Sequence, residues 1–208
     1  DMLDSRMRVN GAVFLNKYDA IPLGKLPCPE SSLPTPCLRP DNIGSADVKG
    51  AELEAAIYPG MGFSLDASIS FLDFNYTSST TGGFLDNTAI PEDGITPYTP
   101  ELSYSVGAQY DRDMPAGTLS FRIDGSYQSK VYDNAENTEW AKVAGRFLAN
   151  ARISWSDMDS KWRVSLNIQN LFDKYYFQSV SDNTTSLGMV SGVPGLPRTF
   201  ALSVERKF

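Results

Sequence analysis

Histidine is absent from all 208 positions of this chain. That removes Ser-His-Asp and Cys-His nucleophile systems, imidazole general bases and every metal site built on imidazole. An enzyme here would have to work with carboxylates, Lys or Tyr. Long apolar runs are missing too: no stretch approaches the ~18 consecutive apolar residues of a transmembrane helix, so any membrane protein here is not helical. Basic residues are outnumbered, 18 against 25 acidic ones for a net charge of −7. They form no cluster, which argues against nucleic acid as a partner. The opening DMLDSRMRVN has no initiator Met, no basic n-region and no apolar h-region. Patterned sequence begins by position 6, so we expect a piece of something longer.

What the chain does have is alternation. Aromatic residues make up 12% and apolar residues 41%, too many for a disordered segment. They recur with period two, the mark of strands with two differently solvated faces. In TLSFRIDGSY one face carries Leu119, Phe121, Ile123 and Tyr127, and the other Ser120, Arg122, Asp124 and Ser126. FLANARISWS sets Phe147, Ala149, Ala151, Ile153 and Trp155 against Asn150, Arg152 and Ser154. WRVSLNIQ sets Trp162, Val164, Leu166 and Ile168 against Arg163, Ser165, Asn167 and Gln169. The last segment sets Phe200, Leu202, Val204 and Phe208 against Thr199, Ser203, Glu205 and Lys207.

This reading predicts an all-β, antiparallel protein of eight strands near 6–22, 43–58, 62–77, 100–112, 117–132, 144–157, 161–177 and 197–208. Connections alternate between short turns at 58–62, 113–117 and 156–161 and long polar loops at 23–42, 78–99, 133–143 and 178–196. Short turns at one end and long loops at the other are expected of an up-and-down transmembrane barrel. Aromatics gather at both strand ends, as membrane girdles do. Tyr58, Phe63, Tyr110, Trp155 and Trp162 lie at the short-turn end. Tyr18, Phe74, Tyr76, Tyr127, Phe147 and Tyr175 lie toward the long loops. A soluble β-sandwich would also alternate. Against it, the apolar face has middles poor in large residues, such as Ala149 and Ala151, where a soluble core needs bulk.

The C-terminal NIQNLFDKYYF and GVPGLPRTFALSVERKF resemble the end of TonB-dependent outer-membrane receptors. There an N-L-F-D-K-x-Y segment ends the penultimate strand, and a P-R-T/S-F strand runs to a final Phe. Upstream, DVKGAELEAAIYPGMGFSLDASISFLDFNYT resembles the family's K-G-x-E-x-E strand, its short turn and the next strand, and RMRVNGAVFLNKYDAI the strand before. The resemblance implies the last eight strands of a barrel of about 22, with the plug domain and earlier strands elsewhere. Arg206 departs from the pattern by standing where the family often has Tyr. A self-contained eight-stranded barrel with a structural or adhesive role is the alternative.

The same resemblance implies active uptake of a scarce nutrient across a Gram-negative outer membrane, with siderophore-bound iron the usual cargo and cobalamin or oligosaccharides served by relatives. The implied partners are outer-membrane lipid, the barrel assembly machinery, small-molecule cargo, and TonB with its inner-membrane motor acting through the plug. No enzyme activity and no cofactor are expected. Glu52 and Glu54, two apart on one strand, and Asp66, Arg122, Asp124, Arg152 and Arg163, on the same face by parity, are expected to meet water and plug rather than to catalyse. Phe200, Leu202, Val204 and Phe208 correspond to the C-terminal barrel-assembly signal. Cys28 and Cys37, among prolines and serines in the first long loop, read as a disulfide of an oxidising compartment. Two thiolates without His cannot complete a metal shell. Tyr175–Phe177 could belong to the upper girdle or stack on cargo.

Overall fold

The computed structural model describes residues 6–25, 39–42, 44–79, 90–91 and 93–207. One eight-stranded antiparallel sheet forms the framework: β1 (Met7–Tyr18), β2 (Gly44–Gly60), β3 (Phe63–Ser79), β4 (Leu102–Met114), β5 (Gly117–Gln128), β6 (Arg146–Ser156), β7 (Trp162–Gln169) and β8 (Thr199–Arg206). The strands stand side by side in chain order. No ladder joins β1 to β8 among the described residues, so the sheet is open at both edges. Gly62 shows what the tight turns require. Its φ is +84°, and a Cβ there would lie 2.1 Å from the Asp111 carbonyl oxygen, whose own N–H bonds the Gly62 carbonyl.

The ladders put like beside like. Leu119, Trp155, Val164 and Val204 form one cross-strand row. The next holds Phe121, Ile153, Leu166 and Leu202, and the next Ile123, Ala151, Ile168 and Phe200. On the opposite face Arg122 stands beside Arg152, Asp124 beside Asn150, and Arg163 beside Glu205. The apolar rows are turned outward, with Leu202 72% and Val204 62% exposed. In β3 the apolar face runs through Phe63, Leu65, Ala67, Ile69 and Phe71, and in β4 through Leu102, Tyr104, Val106, Ala108 and Tyr110. Each run covers the ~9–11 residues that a tilted strand needs to cross a bilayer. The chain is thus an antiparallel transmembrane barrel segment.

Two expectations need correction. The seventh strand was expected to continue to 177, but β7 stops at Gln169. Asn170 (φ 49°) and Asp173 (φ 52°) enter the left-handed region, which Asn and Asp tolerate better than most residues. The Asn170 amide donates to the carbonyls of Lys174 (2.9 Å) and Leu196 (3.1 Å), and its oxygen accepts the Lys174 N–H. Asp173 accepts the Arg198 N–H at 2.8 Å. These side-chain bonds replace the ladder, so NLFDKYY is a locked turn.

The second correction concerns Phe74 and Tyr76, expected in the upper aromatic girdle. Both are buried, and they lie on the face that carries Glu52 and Ser70 lower down. At Lys49 and Asp73 the two faces of β2 and β3 exchange character. Below this level Leu53 and Ile69 are on the apolar face; above it, Phe14, Val48, Leu72, Phe74 and Tyr76 make the other face apolar. They pack with Ala46, Ile90 and Ala135 into a small core roofed by the long loops. The strand tops have left the hydrocarbon, so charge is admitted on the outer side and apolar surface must be covered from within the protein. Tyr127 and Phe147, also expected at this end, do stand on the apolar face, joined by Tyr104, whose ring stacks on Tyr127 at 5.0 Å.

Candidate functional site: the polar face and the loops above it

Alternation places Glu52, Glu54, Asp66, Arg122, Asp124, Arg152 and Arg163 on one face of the sheet. The structure brings three of them together. Arg122 reaches Asp66 at 3.0 Å and Asp124 at 2.6 Å, with its Nε also donating to Asp124 at 2.8 Å. The guanidinium lies flat across β4 because Gly107 stands between Asp66 and Asp124. A Cβ at Gly107 would be 2.5 Å from both the Arg122 nitrogen and the Asp66 carboxylate. Side chains of this trio remain 31–48% exposed, so water reaches them.

The other four do not join the trio. Glu52 and Glu54 are exposed beside a cavity of about 470 Å³ lined also by Ser68, Ser105, Gln128 and Arg146. Hydroxyls bridge neighbouring strands, Ser68 to Ser105 beside this cavity and Ser165 to Ser203 between β7 and β8, each at 2.8 Å. Arg163 donates to Ser156 at 3.2 Å, and Arg152 is exposed opposite Arg122. Among the described residues no group of three His, Cys, Asp or Glu side chains could hold a metal ion. The face is a hydrated wall of fixed charges and hydroxyls. Such a surface can guide and release a polar solute, and it offers no activated nucleophile.

The loops contain two-stranded ribbons: Val131–Tyr132 with Lys142–Val143, and Phe177–Asn183 with Met189–Pro194. Two residues tie the loops together. Asn137 (φ 52°) exchanges bonds with Ile95, donating to its carbonyl at 2.8 Å and accepting its N–H at 2.7 Å. Asp182, 5% exposed, accepts the Thr138 hydroxyl at 2.6 Å and both the N–H and hydroxyl of Thr184. Burial pushes the Asp182 carboxyl up, but these three donors outweigh it and hold the group below the usual carboxylate range. The Tyr98 phenol donates to Asp133, and its pKa is pushed up to about 12 by burial and by that carboxylate.

Neither tie was anticipated from sequence. Tyr175 is 74% exposed and meets Phe177 edge-on at 5.6 Å, while the Arg146 guanidinium lies 5.0 Å from the Tyr176 ring. At the other end of the barrel wall Arg206 lies 4.9 Å over the Trp162 ring. Cys28, Cys37 and Phe208 lie outside the described residues.

Residues 1–171 match the family described as TonB dependent receptor-like, beta-barrel. No curated protein matches the chain. Among solved structures, the siderophore receptor PiuA from Acinetobacter baumannii superposes with a TM-score of 0.72 at 22% identity, over 100% of this chain and 27% of that one. The ferric yersiniabactin uptake receptor FyuA from Yersinia pestis gives 0.67 at 17% identity, over 100% and 36%. The copper transporter OprC gives 0.68 at 18%, over 98% and 29%. This chain therefore spans about a third or less of the length of these structures. Open edges, a bilayer-crossing apolar face, a hydrated polar face and a family match over most of the chain agree: it belongs to the TonB-dependent receptor β-barrel family, whose members are transporters and not enzymes.

Proposed function

We propose that residues 1–208 are the C-terminal part of the barrel of an outer-membrane receptor that takes up a scarce nutrient, energised through TonB. The observation that carries this reading is the open eight-stranded wall, apolar on one face and charged on the other, alike over its whole length to one sector of a siderophore receptor. The polar face looks into the lumen, where Glu52, Glu54, Arg152, Arg163 and the Asp66–Arg122–Asp124 trio meet water and a plug domain. The plug connects the barrel to TonB and its inner-membrane motor. The apolar face meets outer-membrane lipid. Phe200, Leu202, Val204 and Phe208 serve the barrel assembly machinery, and Cys28 pairs with Cys37 in an extracellular loop.

The cargo we favour is an iron–siderophore complex, in keeping with PiuA and FyuA; OprC, of like fold, is a copper transporter. The test is uptake by cells expressing the intact receptor, offered radio-iron on a panel of siderophores, with cobalamin and an oligosaccharide as competitors. Accumulation of iron that stops when TonB is deleted is the expected result. Uptake that is passive and independent of TonB, or no binding of any of these solutes, would favour a structural or adhesive barrel.

A further inference from the structure

The apolar face is not uniform. An open groove of about 550 Å³ crosses it, with Ala55, Ala67, Val106, Ala108, Gly125 and Ala149 on its floor. Phe147 and Phe172 border it at the loop end, and Leu65 and Ile123 on the other side. Asp66 and Asp124 touch it only as part of strands whose side chains alternate to the polar face, where both bind Arg122. The groove is thus lined by hydrocarbon and lies within the surface that crosses the bilayer.

A charge stands in line with it. Along β4 the same face reads Val106, Ala108, Tyr110 and then Arg112. Arg112 is exposed and stands opposite Leu119 in the ladder, and its guanidinium makes no hydrogen bond or ion pair with a described residue. It lies one step beyond the Leu102–Tyr110 run, so it sits at headgroup depth on the short-turn side. The six residue steps from Val106 to Arg112 span ~20 Å of strand, which at a ~45° tilt is close to half of a ~30 Å hydrocarbon core.

We propose that this is a binding site for one phospholipid of the leaflet on the short-turn side, its acyl chain lying in the groove and its phosphate on Arg112. The inference rests on the membrane reading above and goes beyond it. A flat apolar face would carry only exchangeable lipid. Here the small side chains on the groove floor, bordered by Phe147, Phe172, Leu65 and Ile123, seat one chain, and Arg112 supplies the opposite charge for its phosphate.

The test is native mass spectrometry of the intact receptor in detergent with added palmitoyl-oleoyl phosphatidylethanolamine. The unaltered receptor should keep one lipid under activation that strips the rest. Arg112→Gln should lower the retained fraction about fivefold, the worth of one basic residue at a lipid surface. Ala108→Phe, which fills the groove, should abolish retention, and Ala151→Phe, on the same face outside the groove, should not. Two variants at separate ends guard against one that fails to fold. Equal retention in all of them overturns the proposal, as does a groove occupied by a second receptor, seen as a dimer lost in Ala108→Phe. A receptor that imports its cargo yet keeps no lipid refutes this inference alone and leaves the transport reading standing.

Discussion

Arg122 is gripped by two carboxylates, yet all three groups stay in reach of water. Ion pairs so exposed contribute little, ~0–1 kcal/mol each. Arg122→Gln should therefore lower the stability of the intact barrel by only about 1 kcal/mol, read by urea unfolding in vesicles. Gly107→Val should cost about as much, because the atoms it would meet are the ends of the Arg122 and Asp66 side chains, which can swing aside for the loss of the same ion pairs. A loss of ~3 kcal/mol or more in either variant, the size expected for a buried pair, would contradict the exposed trio described here. Tyr98 gives a second test at this scale. Its folded pKa of about 12 lies above the ordinary 10.0, so the neutral phenol is favoured in the folded loop. Its contribution is whole below pH 10.0 and lost as pH rises toward about 12. The difference between ultraviolet titrations of the parent and Tyr98→Phe should show this late ionisation, and Asp133→Asn should bring it earlier.

Among the elements, β5 allows depth to be probed on one strand. Ile123 is central in its run of apolar-face residues and Leu119 is near the short-turn end. Arg at position 123 should cost ~2–4 kcal/mol and Arg at 119 only ~0–1, measured by folding into vesicles. Equal costs would mean that this face is not in lipid. The loops make a parallel test. Asp182→Ala removes the acceptor for Thr138 and Thr184, so protease should cut both the 133–143 and the 178–196 segments faster while leaving the strands intact. Strands were legible in the sequence because period two is a strong signal and each face keeps one solvent along its length. That assumption failed where β2 and β3 leave the membrane. Phe74 and Tyr76 keep the period but turn toward a protein core, and aromatic content alone does not distinguish a girdle from a core. NLFDKYY misled for a different reason. Its alternation is undone by two left-handed residues and by Asn170 bonds to Leu196, which local pattern does not reveal. The polar-face residues were readable from parity, but their grouping was not, since Asp66 and Arg122 meet only through the register of three strands.

For the whole molecule the decisive feature is the pair of edges. β1 offers one side of its backbone to β2, β8 one side to β7, and the remaining N–H and C=O groups have no ladder among the described residues. In hydrocarbon such groups must be paired, at several kcal/mol for each left unsatisfied. On the proposed reading the two edges meet strands from outside this sheet. Between Thr199 and Arg206 β8 has no bulge or proline to blunt its edge, consistent with a strand made to be continued. The most direct measurement is an electron cryomicroscopy structure of the intact receptor in a lipid nanodisc. The account predicts β1 and β8 each paired with a strand from outside residues 1–208, around a plug facing Glu52 and Arg122, with Ile123 and Leu166 turned to lipid. A continuous ladder from β1 to β8, closing eight strands on themselves, would contradict it.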